Sequence, residues 1–335
     1  MRVLFASLAS VGHTYPMIPL AMALRDAGHE VHFAAGEQVH APLAAEGLRP
    51  FRPADCFYEI YTEDLEPELA RLRPDLVVHG WGLPGAAVAA HRAGIPGIWH
   101  GFGRLFPEGI GLELPTRNAE APGLPHLDIC PPSLQDKDFL ATEHRLELRP
   151  VPYGAPSALA DHHQSRPTIY LTLGTAFGTP QLLTTAITGL AALGVSVVVA
   201  AGRVPVDQLG DLPHNVTVHR WVPQADLLPH VDVVVHHGGS GTTLGALTVG
   251  VPQLILPQGA DQFANAAALT ASGAALALLP AEVSADAIAE QTRKLLPHHG
   301  NASHRDAARA IAAEIADMPS PHDVARRLPD YTDGR

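Results

Sequence analysis

The chain has 335 residues, of which 46% are hydrophobic, 17% charged and only 5% aromatic. That composition excludes a disordered chain, suits about two domains, and leaves Ala, Leu and Val to fill the cores. A formal net charge of -12 excludes an extended polyanion-binding surface, so no nucleic-acid partner is expected, although backbone N–H groups can still build a local anion site. Cys56 and Cys130 are the only cysteines, too few for a disulfide framework and without metal-ligand spacing, which fits a reducing cytosol. The apolar opening resembles an export signal or membrane segment until His13, Pro16 and Pro19 interrupt it, so a cytoplasmic protein with no integral membrane segment is expected.

The chain opens with a β-rich run, Arg2–Ser7, then the glycine-containing LASVGHTY, a helically spaced run at 17–29 and a second strand at 30–36. Pro74–Gly80 reads as a strand, Leu83–Arg92 as a helix and 95–101 as another strand, a βαβ rhythm that predicts a parallel sheet covered by helices. Pro107–Ser165 is proline-rich and weakly periodic, and reads as irregular connection. A second set follows: strands at Pro167–Thr175, 196–202, Val216–Trp221, Val231–His237, Pro252–Pro257 and Ala274–Leu279, with helices at Pro180–Leu193, Ala285–Leu295 and Ser303–Asp317. The expected fold is therefore α/β with two Rossmann-like domains, 1–160 and 161–320, and a polar tail at 321–335. Ligands of such sheets bind where loops leave the C-terminal strand ends.

The densest chemical signal is HHGGSGTTLGAL, His236–Leu247, directly after an apolar strand. Gly238, Gly239 and Gly241 allow a tight turn and close ligand approach, while Ser240, Thr242 and Thr243 cap a helix and offer donors to phosphate oxygens. His237 can donate to a phosphate, and His236 is expected on the opposite face of the strand. Downstream, PQGADQFANA places Asp261 and Gln262 side by side, with Asn265 following, a pairing suited to sugar hydroxyls or, more simply, to helix capping. Upstream, Trp221 precedes a turn at Pro223 and Gln224, offering either a platform for a nucleobase or a core ring.

Taken together, RWVPQADLLPHVDVVVHHGGSGTTLGALTVGVPQLILPQGADQFANA resembles the donor-binding signature of the inverting, nucleotide-diphosphate-sugar-dependent glycosyltransferases of family 1, particularly their bacterial natural-product, macrolide-type branch. The resemblance implies GT-B architecture, two facing Rossmann-like domains with an interdomain cleft. It implies that Trp221 and Val222 border the base, that Gln224 meets the nucleoside, and that His237, Gly239, Ser240, Gly241 and Thr242 hold the diphosphate. Asp261 and Gln262 would face the sugar, Gly12 and Thr175 would approach the donor from other strand ends, and no bound divalent metal or other cofactor is required. His13, in VGHTYPMIPLA, becomes the candidate general base for an acceptor hydroxyl. The implied partners are a dTDP- or UDP-sugar, plausibly a deoxysugar, and a small natural-product acceptor. Ala-rich helices leave a homodimer open.

Two departures stand out. Where relatives carry a carboxylate that orients the base, this chain has His79, Gly80 and Trp81, which leaves Asp75, Glu108 or Glu113 as candidate partners for His13, or a His13 that works without a side-chain orienting group. The second domain also begins early, so the acceptor side is expected to be abbreviated, with Trp81, Trp99, Phe102 and Phe106 lining it. A nucleotide-sugar epimerase or hydrolase, or a non-catalytic sugar-nucleotide-binding protein, fits the same donor motif. The fate of a labelled sugar separates these readings.

Overall fold

The structure, a computed structural model, describes residues 1–54, 59–105, 124–142, 144–154, 166–175, 178–297 and 302–332. It divides into two compact units, Met1–Tyr153 with Asp317–Arg335, and Gly154–Ala316.

The first unit is built on a parallel sheet of β1 (Arg2–Ala6), β2 (Glu30–Ala34), β3 (Arg49–Phe51), β4 (Leu76–Gly80), β5 (Gly97–His100), β6 (His126–Asp128) and β7 (Arg145–Glu147). Their order is β3-β2-β1-β4-β5-β6-β7. Its helices are α1 (Val11–Thr14), α2 (Ile18–Asp26), α3 (His40–Ala45), α4 (Thr62–Leu72), α5 (Pro84–Arg92) and α6 (Lys137–Thr142). Strand side chains alternate between faces, so Leu4, Ala6 and Val77 share one face and pack on Leu65 and Leu69 of α4 and Ala86, Ala89 and Ala90 of α5. Because helices cover the sheet, β4 is buried along its whole length, and its sequence LVVHG lacks the polar alternation of a half-exposed strand. The stretch expected to be irregular contributes β6 and β7: each is only three residues long, too short to show a period.

The second unit repeats the plan with β8 (Thr168–Thr172), β9 (Ser196–Ala200), β10 (Val216–His219), β11 (Val233–His236), β12 (Gln253–Ile255) and β13 (Ala275–Ala277), ordered β10-β9-β8-β11-β12-β13 and parallel throughout. The helices are α7 (Pro180–Ala191), α8 (Gln224–Leu227), α9 (Ser240–Thr248), α10 (Gln262–Ser272), α11 (Ala285–Leu295) and α12 (Ser303–Asp317). Ile169, Leu171, Val197, Val233 and Val235 meet Leu183 and Ile187 of α7 and Ile288 and Leu295 of α11 on one face. Tyr170, Val198 and Val234 meet Leu227 and Ala246 on the other.

The C-terminal segment does not form a separate tail. α13 (Pro321–Arg327), capped by Ser320, whose hydroxyl accepts from Asp323 N, packs on α2 of the first unit. Arg149, just past β7, fastens the return: its backbone N donates to Pro319 O at 2.8 Å and its guanidinium to Met318 O. No described helix is long and apolar enough to cross a membrane.

Candidate functional site

In each sheet the strand order reverses once, beside β1 and β4 in the first unit and beside β8 and β11 in the second. Loops leaving neighbouring strands there diverge to opposite faces, which opens a crevice at the C-terminal strand ends. Gly12, His13 and Trp81 follow β1 and β4, and Thr175 and His237–Thr242 follow β8 and β11, at these two points; Trp221–Gln224 follow β10, and Asp261 and Gln262 follow β12.

In the second unit, the loop after β11 turns into α9. His236 points inward: Gly238 N donates to its Nδ1 at 3.1 Å, so Nε2 carries the hydrogen and donates to Gln253 Oε1 at 2.8 Å. Burial pushes this imidazole down to about 3, keeping it neutral. His237, also lowered by burial, to about 4, is threaded between two glycines from different loops. A Cβ on Gly174, which has φ +70°, or on Gly239 would lie 2.5 Å from His237 ring atoms. Gly174, just past β8, therefore makes room for the imidazole. His237 Nδ1 is buried without a hydrogen-bond partner among the described residues.

Helix α9 begins at this loop, and its first N–H groups lack intrahelical acceptors. Ser240 N donates to Asp261 Oδ2 at 3.2 Å, and Ser240 Oγ donates to the same oxygen at 2.8 Å. Asn265 Nδ2 ties the assembly together, reaching Asp261 Oδ2 at 2.9 Å, Gly238 O at 2.8 Å and Ser240 Oγ at 3.1 Å. Burial pushes the Asp261 carboxyl up, and the bonds from Ser240 and Asn265 oppose that shift. Gln262 Oε1 accepts from Gln258 N at 2.8 Å and Gly259 N at 3.2 Å, which fixes the loop before α10 and leaves its amide nitrogen without a partner among the described residues. Gly241 is exposed with open space around it, and Thr242 Oγ1 accepts from Gln224 Nε2 at 3.1 Å. Trp221 is 46% exposed nearby in sequence, whereas the Val222 side chain is 1% exposed and belongs to the core around Tyr170. Val222 is buried as a whole residue, backbone included. Thr175 is half-buried just past β8.

In the first unit, Gly12 and His13 lie in α1, immediately after β1. Ser10 Oγ and His13 Nδ1 are 2.7 Å apart. The ring forms a triangle with Trp81, with centroids 6.1 Å apart and planes at 15°, and Phe102, with centroids 5.2 Å apart, which are themselves 5.1 Å from each other. Burial lowers His13 to about 4, so the ring is neutral at physiological pH and able to accept a proton.

The structure corrects two expectations on this side. Asp75 is not a partner of His13: it stands at the N-terminal end of β4, where its Oδ2 accepts from Arg2 N at 2.7 Å. The length of β1 separates the two, roughly 13 Å at a strand's rise of about 3.3 Å per residue. Trp99 is 7% exposed and stacks edge-on against His126 at 4.1 Å, a core ring rather than a lining one. Of the four expected aromatics, Trp81 and Phe102 gather at His13, while Phe106, with Glu108 and Glu113, lies outside the described residues. Ser10 was missed, although Ser and His three apart at a helix start are a legible signal. Among the described residues, no group of three His, Cys, Asp or Glu is arranged to hold a metal ion.

Comparison with known proteins places this geometry in context. Residues 184–330 match the family model described as erythromycin biosynthesis protein CIII-like, C-terminal domain. The whole chain is similar to the L-demethylnoviosyl transferase of Streptomyces niveus, 35% identical over 98% of this chain and 97% of the relative. It is also similar to the elloramycin glycosyltransferase ElmGT of Streptomyces olivaceus, 32% identical over 98% and 97%. Among solved structures, the glycosyltransferase VinC in complex with dTDP superposes with a TM-score of 0.84 at 25% identity, covering 99% of this chain and 100% of that one. SnogD from Streptomyces nogalater gives 0.83 at 28% identity, covering 99% of both.

Proposed function

The chain belongs to the nucleotide-sugar-dependent glycosyltransferases of GT-B architecture that act in bacterial natural-product biosynthesis, and from that premise we propose the reaction it carries out. It transfers a sugar, in the first place a deoxysugar, from a dTDP- or UDP-sugar to a hydroxyl of a small aglycone with inversion at the anomeric carbon. The thymidine diphosphate bound in solved relatives favours dTDP.

The observation that carries this reading is the assembly around α9. Phosphate oxygens meet the N–H groups of Gly241 and Thr242, which have no intrahelical acceptors, the Thr242 hydroxyl and the neutral His237 ring, with the positive end of the helix dipole behind them. Gln224, bonded to Thr242, extends the site toward the nucleoside, and Trp221 offers its exposed face to the base. Asp261, with one oxygen committed to Ser240 and Asn265, turns the other to sugar hydroxyls.

His13 Nε2 takes the proton of the acceptor hydroxyl as its oxygen attacks the anomeric carbon. The bond from that carbon to the phosphate oxygen breaks with its electron pair staying on the nucleoside diphosphate. The glycoside and the diphosphate leave, and His13 releases its proton to solvent. The α9 N–H groups and His237 stabilise the charge that develops on the leaving group.

The test supplies dTDP- and UDP-sugars labelled in the sugar, with a panel of hydroxylated aromatic acceptors. Label should appear in a conjugate with one equivalent of nucleoside diphosphate released. His13→Ala should lower transfer roughly 100-fold or more while dTDP affinity stays within about twofold. His237→Ala should weaken dTDP binding, read by calorimetry. Hydrolysed or isomerised donor without conjugate refutes the transfer, and unchanged turnover in His13→Ala refutes the base.

A further inference from the structure

Among the described residues no carboxylate backs His13 in the way that usually supports a catalytic imidazole, and a hydroxyl stands beside its ring. Its polar side-chain contact is Ser10 Oγ at 2.7 Å from Nδ1, and its ring contacts are Trp81 and Phe102. Among the described residues no carboxylate or cation forms an ion pair or hydrogen bond with it, and burial alone sets its protonation. Ser10 is the N-cap of α1, yet its hydroxyl makes no capping bond. The cap is formed instead by its carbonyl, which accepts from His13 N at 3.2 Å and Thr14 N at 2.9 Å. Ser7 and Thr14 hydroxyls, 2.8 Å apart, and the bond from Thr14 Oγ1 to Leu8 O brace the loop beneath. A residue type that normally caps a helix through its side chain has been freed to hold the imidazole.

We propose that Ser10 is the positioning residue for His13: its hydroxyl oxygen accepts from Nδ1–H, which leaves the Nε2 lone pair to take the acceptor's proton, while Trp81 and Phe102 hold the plane of the ring. The proposal rests on the reading of His13 as the base. Unlike a carboxylate, a hydroxyl can also donate; in the accepting role it holds the Nδ1–H tautomer but supplies no negative charge, so the imidazolium formed during transfer relies on the π faces beside it. The Phe102 centroid, at 5.2 Å, is within the range of such an interaction, and Trp81, at 6.1 Å, is at its edge. A base backed in this way suits an acceptor hydroxyl that gives up its proton readily, a phenol or an enol rather than an aliphatic alcohol.

The experiment is histidine nitrogen NMR on the full chain labelled with 15N-histidine, which needs no substrate. His13 should appear as the Nδ1–H tautomer in wild type and in Ser10→Thr, and should shift toward Nε2–H in Ser10→Ala. Ser10→Asp should raise the His13 titration by about one to three pH units by placing a charge beside Nδ1. In transfer assays, Ser10→Ala should lower kcat about tenfold or more without changing dTDP affinity, and phenols should outpace benzyl alcohols of similar size. An Nε2–H tautomer in wild type, or the same tautomer and titration in Ser10→Ala as in wild type, overturns the proposal. Retained transfer in His13→Ala instead defeats the base reading and leaves the Ser10–His13 bond standing, so the two failures are distinguishable.

Discussion

His126→Phe isolates what a buried imidazole does to acid stability. His126 is 3% exposed, packed edge-on against Trp99 and Phe139, and its Nδ1 has no hydrogen-bond partner among the described residues. Burial, helped by the neighbouring His100, His79 and Arg145, pushes it down to about 3. The folded state therefore keeps the ring neutral where the unfolded chain, with a pKa near 6.5, protonates it. Stability tied to this group is intact above about pH 6.5 and is lost as pH falls toward 3. At pH 5 the unfolded state is favoured by about 1.5 pH units at roughly 1.36 kcal/mol each, or about 2 kcal/mol. Phenylalanine keeps an aromatic ring in the same slot and cannot bind the proton. Urea unfolding of both proteins at pH 7 and pH 5 gives four free energies, and the wild-type-minus-variant difference should fall by about 2 kcal/mol between the two pH values. That double difference cancels any packing change introduced by the substitution. If the two pH profiles run parallel, burial does not hold His126 neutral and the reasoning fails.

Two further substitutions test the second unit. Gly174→Ala puts a Cβ 2.5 Å from the His237 ring at φ +70°, so His237 must move, and dTDP affinity should fall about tenfold or more by calorimetry. Asn265→Ala removes three hydrogen bonds joining Gly238, Ser240 and Asp261 and should cost about 2 kcal/mol in denaturant unfolding, with weaker discrimination between sugar donors that share one nucleotide.

The parallel rhythm of both sheets was legible because strands buried on two faces, such as TIYLT and SVVVA, are apolar without alternation, and TIYLT is followed by a helix of clear period. The donor loop was legible because its glycines and hydroxyls are contiguous. What escaped was set by partners distant in sequence. Val222 looked like a border residue until the core around Tyr170 claimed its side chain, and Trp99 looked like a lining residue until His126 packed against it. Asp75 failed for a simpler reason: it begins its strand, and His13 follows the end of the neighbouring one. The role of Gly174 needed His237, far along the chain, to give it meaning.

The return of the last residues to α2 makes the second unit an insertion, with the first unit containing both ends of the chain. Exchange of second units between relatives therefore calls for two junctions, one near Tyr153 and one near Ala316. A chimera joined once, near the middle, would give its first unit a closing helix evolved to pack on another protein's α2. Mismatch there would register as poor folding of the unit that was meant to stay unchanged.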